Sequence, residues 1–335
     1  MDLNILWFIL ITVLFVGFFF LEGFDYGVGA LMPIVGKDDD ERRVALNTIG
    51  PFWDGNEVWL ITAGGAMFAA FPHVYATMFS GFYLALFLIL LCLILRATGI
   101  EFRSQKPSLA WRKKWDAVIA VSSLLSAVLW GVAVSNLVIG VPIDENMQYA
   151  GSFFTLLRPF CLLGGVMLTL IFLYHGACYM MLKVGEETVL SRVQNIADKI
   201  GPIMIVVTVA WVAWAFFASN MFDSMLALAA IALAAVSMIL SVFFTKKRSS
   251  GKAFIFIGLA IAFCVVGVFA GMFPNIMIST IDPVYSLDIY NAASSPKTLG
   301  FMTKVALTLV PIVLAYQIWS FYVFRKRVTK SDVKY

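Results

Sequence analysis

The stretch ILWFILITVLFVGFFFLEGFDYGVGALM, residues 5–32, decides the fold. Residues 5–21 carry no charge, and a helix that crosses a bilayer needs about 20 mostly apolar residues. Eight further stretches qualify: 51–71, 74–95, 115–141, 153–182, 200–221, 225–244, 253–278 and 299–324. The stretch 51–71 is the least apolar, because its first turn carries Asp54, Asn56 and Glu57. Only Phe222-Asp223-Ser224 separates 200–221 from 225–244, and a tight turn is expected there. One helix through both would exceed the bilayer thickness.

The rest of the chain agrees. Its 335 residues are 61% hydrophobic and 13% charged, with a mean hydropathy of +0.91. Soluble domains run about 45–50% apolar and about 25% charged, so this composition could not cover a water-facing surface. It excludes disorder, a disulfide scaffold and a nucleic-acid-binding domain. Cys92, Cys161, Cys178 and Cys264 all lie in apolar runs without CxxC spacing and read as small buried hydrophobes. Two histidines are too few to ligate a large set of metals or hemes. No Lys or Arg precedes Lys37, so the first stretch reads as a retained helix rather than a cleaved signal.

Nine helices with the N-terminus outside place 21 of the 24 Lys and Arg in inside segments. These segments fall at 37–43, 96–114, 183–199, 246–252 and 325–334, and only Arg158, Lys297 and Lys304 lie outside. That is a strong positive-inside signal, and an even helix count would spoil it. The outside loops 140–152 and 280–296 are acidic and polar. The expected fold is an all-α integral membrane protein with nine transmembrane helices and a cytoplasmic C-terminus. Residues 1–335 form a single polytopic membrane domain, arranged as two four-helix bundles plus one peripheral helix.

Charged side chains within membrane spans are functional candidates. In the first helix Glu22 and Asp25 are three apart and share a face, while Gly23 and Gly27 allow another helix to approach. Such a carboxyl pair could conduct protons or could hold a polar helix–helix contact. The run PFWDGNEVW (51–59) adds Asp54 and Glu57, with Trp53, Asn56 and Trp59 around them. Asp54 followed by Glu57 also has capping-box spacing. Trp53 and Trp59 could be interfacial anchors, and His73 an interfacial histidine. His175 lies inside the fifth helix, where a lone histidine is more often a packing residue than a heme ligand. Arg96, Arg103 and residues 112–114 are explained by anionic lipid headgroups, and Arg158 and Lys304 by snorkelling.

Longer strings carry a family resemblance. EGFDYGVGALMP (22–33), ERRVALNTIGPFWDGNEVWLITAGGAMFAAFP (41–72) and FSGFYLALFLIL (79–90) closely resemble subunit II of cytochrome bd-type quinol oxidases. GSFFTLLRPFCLLGG (151–165), MFPNIM (272–277) and NAASSPKTLGFMT (291–303) fit it too. The resemblance spans nearly the full length. It implies a heterodimer with a heme-bearing subunit I of similar fold, in some members joined by a very small third subunit. The complex oxidises quinol and reduces dioxygen to water in a prokaryotic cytoplasmic membrane, generating proton motive force without pumping. Two b-type hemes and one d-type heme are ligated by the partner, so none is expected on this chain, and no metal site. Asp25 and Asp54 match the family's proton-route or stability-critical acids, with Glu22 and Glu57 as weaker candidates and Gly23, Gly27, Trp53, Asn56 and Trp59 packed around them. Phe52 stands where some relatives carry His, so no His-assisted relay is expected there. Membrane lipids and quinone are the other expected partners, and no nucleic acid. From the residues alone, a proton- or cation-coupled transporter and a purely structural scaffold stay open.

Overall fold

A computed structural model describes residues 2–333, which leaves Lys334, one of the inside basic residues, outside the described part. The helices are α1 (Leu3–Val35), α2 (Asp39–Asn47), α3 (Trp53–Ala70), α4 (Pro72–Gly81), α5 (Tyr83–Phe102) and α6 (Leu109–Ile139). They continue with α7 (Pro159–Lys183), α8 (Glu187–Ala218), α9 (Met225–Lys246), α10 (Ser250–Met272) and α11 (Pro296–Val323). Eight of these, among the described residues, are long and apolar enough to cross a membrane. The chain is therefore an all-α integral membrane protein. The eight do not include α3: its polar first turn lowers its mean hydropathy, although its 18 residues span about 27 Å.

Several boundaries differ from the apolar stretches, each for a local reason. The stretch 74–95 is not one helix. Pro72 opens the short α4, the chain breaks at Phe82, and α5 runs on through Arg96 to Phe102. Next to the break, Gly81 lies so close to the Tyr149 ring that a Cβ would sit 2.5 Å from its Cγ. The stretch 253–278 ends at Met272, because Pro274 has no N–H to continue a helix. Residues Asn275–Met277 (β1) instead pair antiparallel with Leu287–Asp288 (β2). Helix α8 begins well before residue 200, and its polar first turns carry Arg192 to the loop layer. A 3-10 turn at Met221–Asp223 separates α8 from α9, whose N-cap Ser224 accepts from the Ala227 N–H.

Helices α7–α10 close a ring, each touching the next, with α10 returning to α7. Helices α3 and α6 pack on α1, which also packs on α7, and α5 packs on α6. Gly27 sets the α1–α7 approach: a Cβ there would stand 2.0 Å from the Phe172 carbonyl oxygen and 2.8 Å from Gly176 Cα. Gly23 faces the Phe172 ring in the same way. Between the two groups lies an apolar cavity of about 250 Å³, walled by Phe15, Trp130, Met167, Trp211, Met238 and Val265 among others. Helix α11 is peripheral. Only Leu299 of it is buried, and the Trp7 indole N–H holds its start through the Leu299 carbonyl oxygen and Thr303 Oγ1, each 3.1 Å away.

The basic segments meet on one face. Arg103, fully buried, pairs with Asp116 (2.5 Å) and Asp39 (2.9 Å), and Arg42 joins Asp116 at 3.0 Å. Arg112 pairs with Asp39, and Arg192 with Glu41 at 2.7 Å. Lys183 donates to the carbonyls of Phe324 and Lys326, while the Val328 N–H donates to the Lys183 carbonyl at 2.7 Å, so the C-terminal segment lies across this face. Headgroup attraction is thus the wrong account of Arg103 and Arg112, since carboxylates on neighbouring loops already take their charges. Snorkelling is likewise wrong for Arg158, which donates to Asn136 Oδ1 (2.8 Å) and the Gly140 carbonyl (2.5 Å). On the opposite face Ser294 bonds the carbonyls of Ala69 and Ala70, and Val141 bonds the 278–280 loop. Helix α3 therefore runs from the basic face to the opposite one.

Candidate functional site

The first acid pair sits where α1, α3 and α5 meet. Glu22 and Asp25 are fully buried. Arg96 of α5, only 1% exposed, pairs through Nη2 with Glu22 and lies 2.6 Å from Glu57 Oε1 of α3. Its guanidinium also covers the Tyr26 ring, 4.7 Å from the centroid. Glu57 is the outward member, with its side chain 19% exposed. Two carboxyl groups, Glu22 and Glu57, thus share one guanidinium, with Asp25 close behind them. Arg96 was not legible as a member: it reads as a lipid-facing cation at a helix end. The signal that finds it is the sequence ATGI (97–100) behind it, which keeps the helix going.

Asp25 has a separate partner. Its Oδ2 accepts from Asn56 Nδ2 at 2.8 Å, while Oδ1 has no protein partner. Asn56 Oδ1 in turn accepts from Gln317 Nε2 of α11 at 3.4 Å, and Gln317 Oε1 accepts from Trp59 Nε1 at 3.0 Å. Trp59 is therefore more than an interfacial anchor, since its indole N–H is spent on another helix. Its ring also seats on Gly17, where a Cβ would lie 2.1 Å away. Asp54 is exposed on the first turn of α3 and caps nothing: the N-cap position is Phe52, without a side-chain bond. The capping-box expectation fails because the helix starts at Trp53, two residues too early for Asp54 to stand outside it as the N-cap. Asp54 and Glu57, three apart, share a face of α3. Trp53 is half-buried beside them.

The comparisons with known proteins agree with one another. The family model described as cytochrome bd terminal oxidase subunit II matches residues 3–324. The chain belongs to this family. It is 40% identical to the cytochrome bd ubiquinol oxidase subunit 2 of Bacillus subtilis (strain 168), over 99% of this chain and 98% of that protein. It is 37% identical to the cytochrome bd-I ubiquinol oxidase subunit 2 of Escherichia coli (strain K12), over 99% and 97% of the two chains. A solved bd oxidase structure from Geobacillus thermodenitrificans superposes with a TM-score of 0.71, covering 96% of this chain and 97% of that one at 14% identity, which speaks for the fold alone.

Subunits of this family belong to heme-containing terminal oxidases, so the fit of this chain to a heme is a fair question. His175 is buried in α7, but its Nε2 lies 2.9 Å from the Phe20 carbonyl and its ring stacks on Phe254 at 5.0 Å. His73 is exposed at the start of α4. Neither lines the apolar cavity. Among the described residues no group of three or more His, Cys, Asp or Glu could hold a metal ion. Among the described residues the two histidines therefore do not face one space as an axial pair for a heme.

Proposed function

We propose that this chain is the subunit of a heterodimeric quinol:dioxygen oxidoreductase that ligates no heme, and that it brings protons from the basic face toward the oxygen-reducing partner. The observation that carries the reading is the buried carboxyl pair Glu22–Asp25, linked by Arg96 to a part-exposed Glu57 whose neighbour on the helix face is the exposed Asp54. One guanidinium cannot neutralise three carboxylates away from water, so the cluster has room for a transferable proton. Protons would arrive at Asp54, pass Glu57 and reach the buried pair.

The names of the relatives support a ubiquinol-type substrate and a bd-type complex of more than one subunit. In the proposed complex subunit I carries two b-type hemes and one d-type heme. A very small third subunit fits the same frame. The basic face is the cytoplasmic face of a prokaryotic membrane, with α3 as the ninth span and the N-terminus outside. The course of α3 between the two faces supports this. Quinol releases its protons outside and the protons for water come from inside, so a potential forms without pumping. The apolar cavity suits a lipid or quinone tail.

Asp25→Asn and Asp54→Asn test the relay in the purified complex. The expected result is slower oxygen reduction at unchanged heme content. Normal turnover in both variants refutes the route, and loss of heme makes the acids structural. Purification of this chain alone as a colourless, active transporter would refute the oxidase assignment.

A further inference from the structure

Helix α11 faces outward along almost its whole length, yet one of its side chains reaches the acid cluster. Gln317 is half-buried between the exposed Tyr316 and Ile318, and it is the one amide side chain on that helix. It stands in a chain of three hydrogen bonds: Trp59 Nε1 to Gln317 Oε1, 3.0 Å; Gln317 Nε2 to Asn56 Oδ1, 3.4 Å; Asn56 Nδ2 to Asp25 Oδ2, 2.8 Å.

The direction of this chain follows from chemistry. An indole N–H only donates, so the Gln317 atom facing it must be the oxygen. The Gln317 amide nitrogen then faces Asn56 and requires an oxygen there. Asn56 is left to present N–H to Asp25. A reversed Asn56 would set its oxygen against the carboxyl and suit only a protonated Asp25. The orientation of a buried amide, otherwise free to flip, is thereby set by a tryptophan two links away.

We propose that Gln317 is a positioning residue for Asp25: directed by the Trp59 indole, it locks the Asn56 amide with its N–H toward the carboxyl. This rests on the proton-route reading. A carboxylate that accepts a fixed N–H gives up its proton more readily than one without it. The titratable and charged groups facing Asp25 are Glu22 on its own helix, Glu57 on α3, Arg96 on α5 and Tyr179 on α7. The Gln317 chain adds no charge to this set, so it adjusts the carboxyl through orientation alone. The peripheral helix thereby takes part in the site without lending it a charged group.

The test uses the intact purified complex. Gln317→Met keeps the side chain's length and removes both bonds, and Trp59→Phe keeps the Gln317–Asn56 contact and removes its director. Each should move the half-maximal pH of quinol-driven oxygen reduction by about half to one unit toward alkaline, at unchanged heme absorption. The double variant should move it no further than Gln317→Met alone, because both act through Asn56. Helix glue alone would lower yield and heme content without moving the pH profile, and that result overturns the proposal. If Gln317→Met does not assemble, Trp59→Phe carries the same expectation, and an unmoved profile there overturns the proposal as well. An unmoved profile in both variants beside a slow Asp25→Asn defeats the positioning role alone, whereas a normal Asp25→Asn defeats the proton route beneath it.

Discussion

Replacing Arg96 with Met removes the one cation of the buried cluster while keeping much of its apolar stem. Glu22 is fully buried and loses its ion pair, whereas Glu57, with a side chain 19% exposed, can turn toward its surroundings. The cost therefore falls mainly on Glu22. Breaking a buried pair by removing one partner costs about 3–5 kcal/mol, because the other charge is left uncompensated. The guanidinium also leaves the Tyr26 ring, 4.7 Å away, which forfeits about 0.5–2 kcal/mol more. A total of about 4–7 kcal/mol is a large part of the roughly 5–15 kcal/mol that holds a typical domain folded. The expected outcome is little or no assembled, heme-containing complex. Adding Glu22→Gln removes the stranded charge and should restore most of the yield and the thermal midpoint in detergent, short by the cation–π contribution. A single Arg96→Met variant as stable as the parent would refute the buried pair. A double variant no better than the single one would place the loss elsewhere, at Glu57 or Tyr26.

Two further outcomes can be measured. Glu41 accepts two bonds from Arg192, which with the Lys37 N–H and the Thr188 hydroxyl draw its carboxyl down from 4.5 to about 2. A lowered folded-state value means that its stabilisation is complete above pH 4.5 and is lost as the pH falls from there toward 2. Glu41→Gln should thus lower the thermal midpoint at neutral pH by an amount that shrinks below pH 4.5, and a constant gap would contradict the pairing. Gly27→Ala should prevent assembly, because its Cβ would meet backbone at 2.0 Å and no side chain can yield, while Gly64→Ala, with nothing within 4 Å, should leave this chain's own folding intact. Equal yields of the two variants would show that α1 and α7 do not meet at Gly27.

The spans are legible because crossing a bilayer demands only apolar length, a property each stretch carries by itself. The breaks at Phe82 and Pro274 are less so, because an apolar helix and an apolar loop differ little in composition where other protein, not lipid, surrounds them. The acids Glu22, Asp25, Asp54 and Glu57 announce themselves by charge. Their partners do not. Arg96 looks like the end of a span because it is charged, and it becomes interior only when Glu22, 74 positions earlier in the chain, neutralises it. Gln317 is a single amide in an apolar helix, and its role depends on Trp59 and Asn56, more than 250 residues away. Such long-range pairing leaves no local pattern.

The same geometry separates two compartments inside this chain. None of Glu22, Asp25, Asn56, Glu57, Arg96 or Gln317 lines the apolar cavity, whose walls come from both helix groups. A cavity without convergent polar groups cannot hold a proton against the aqueous phase, though it can receive a hydrocarbon chain. The carboxyl cluster lies on the other side of α1, toward α3 and the peripheral α11, and it opens outward at Glu57. A proton taking the proposed route would therefore enter along the α3 face and not through the centre of the subunit. Lining the cavity with carboxylates would charge a greasy space, and moving the cluster inward would cut it off from Asp54. Helix α11, tied at Trp7, at Gln317 and by the Phe52–Phe321 stack, reaches the cluster from outside without adding charge to it.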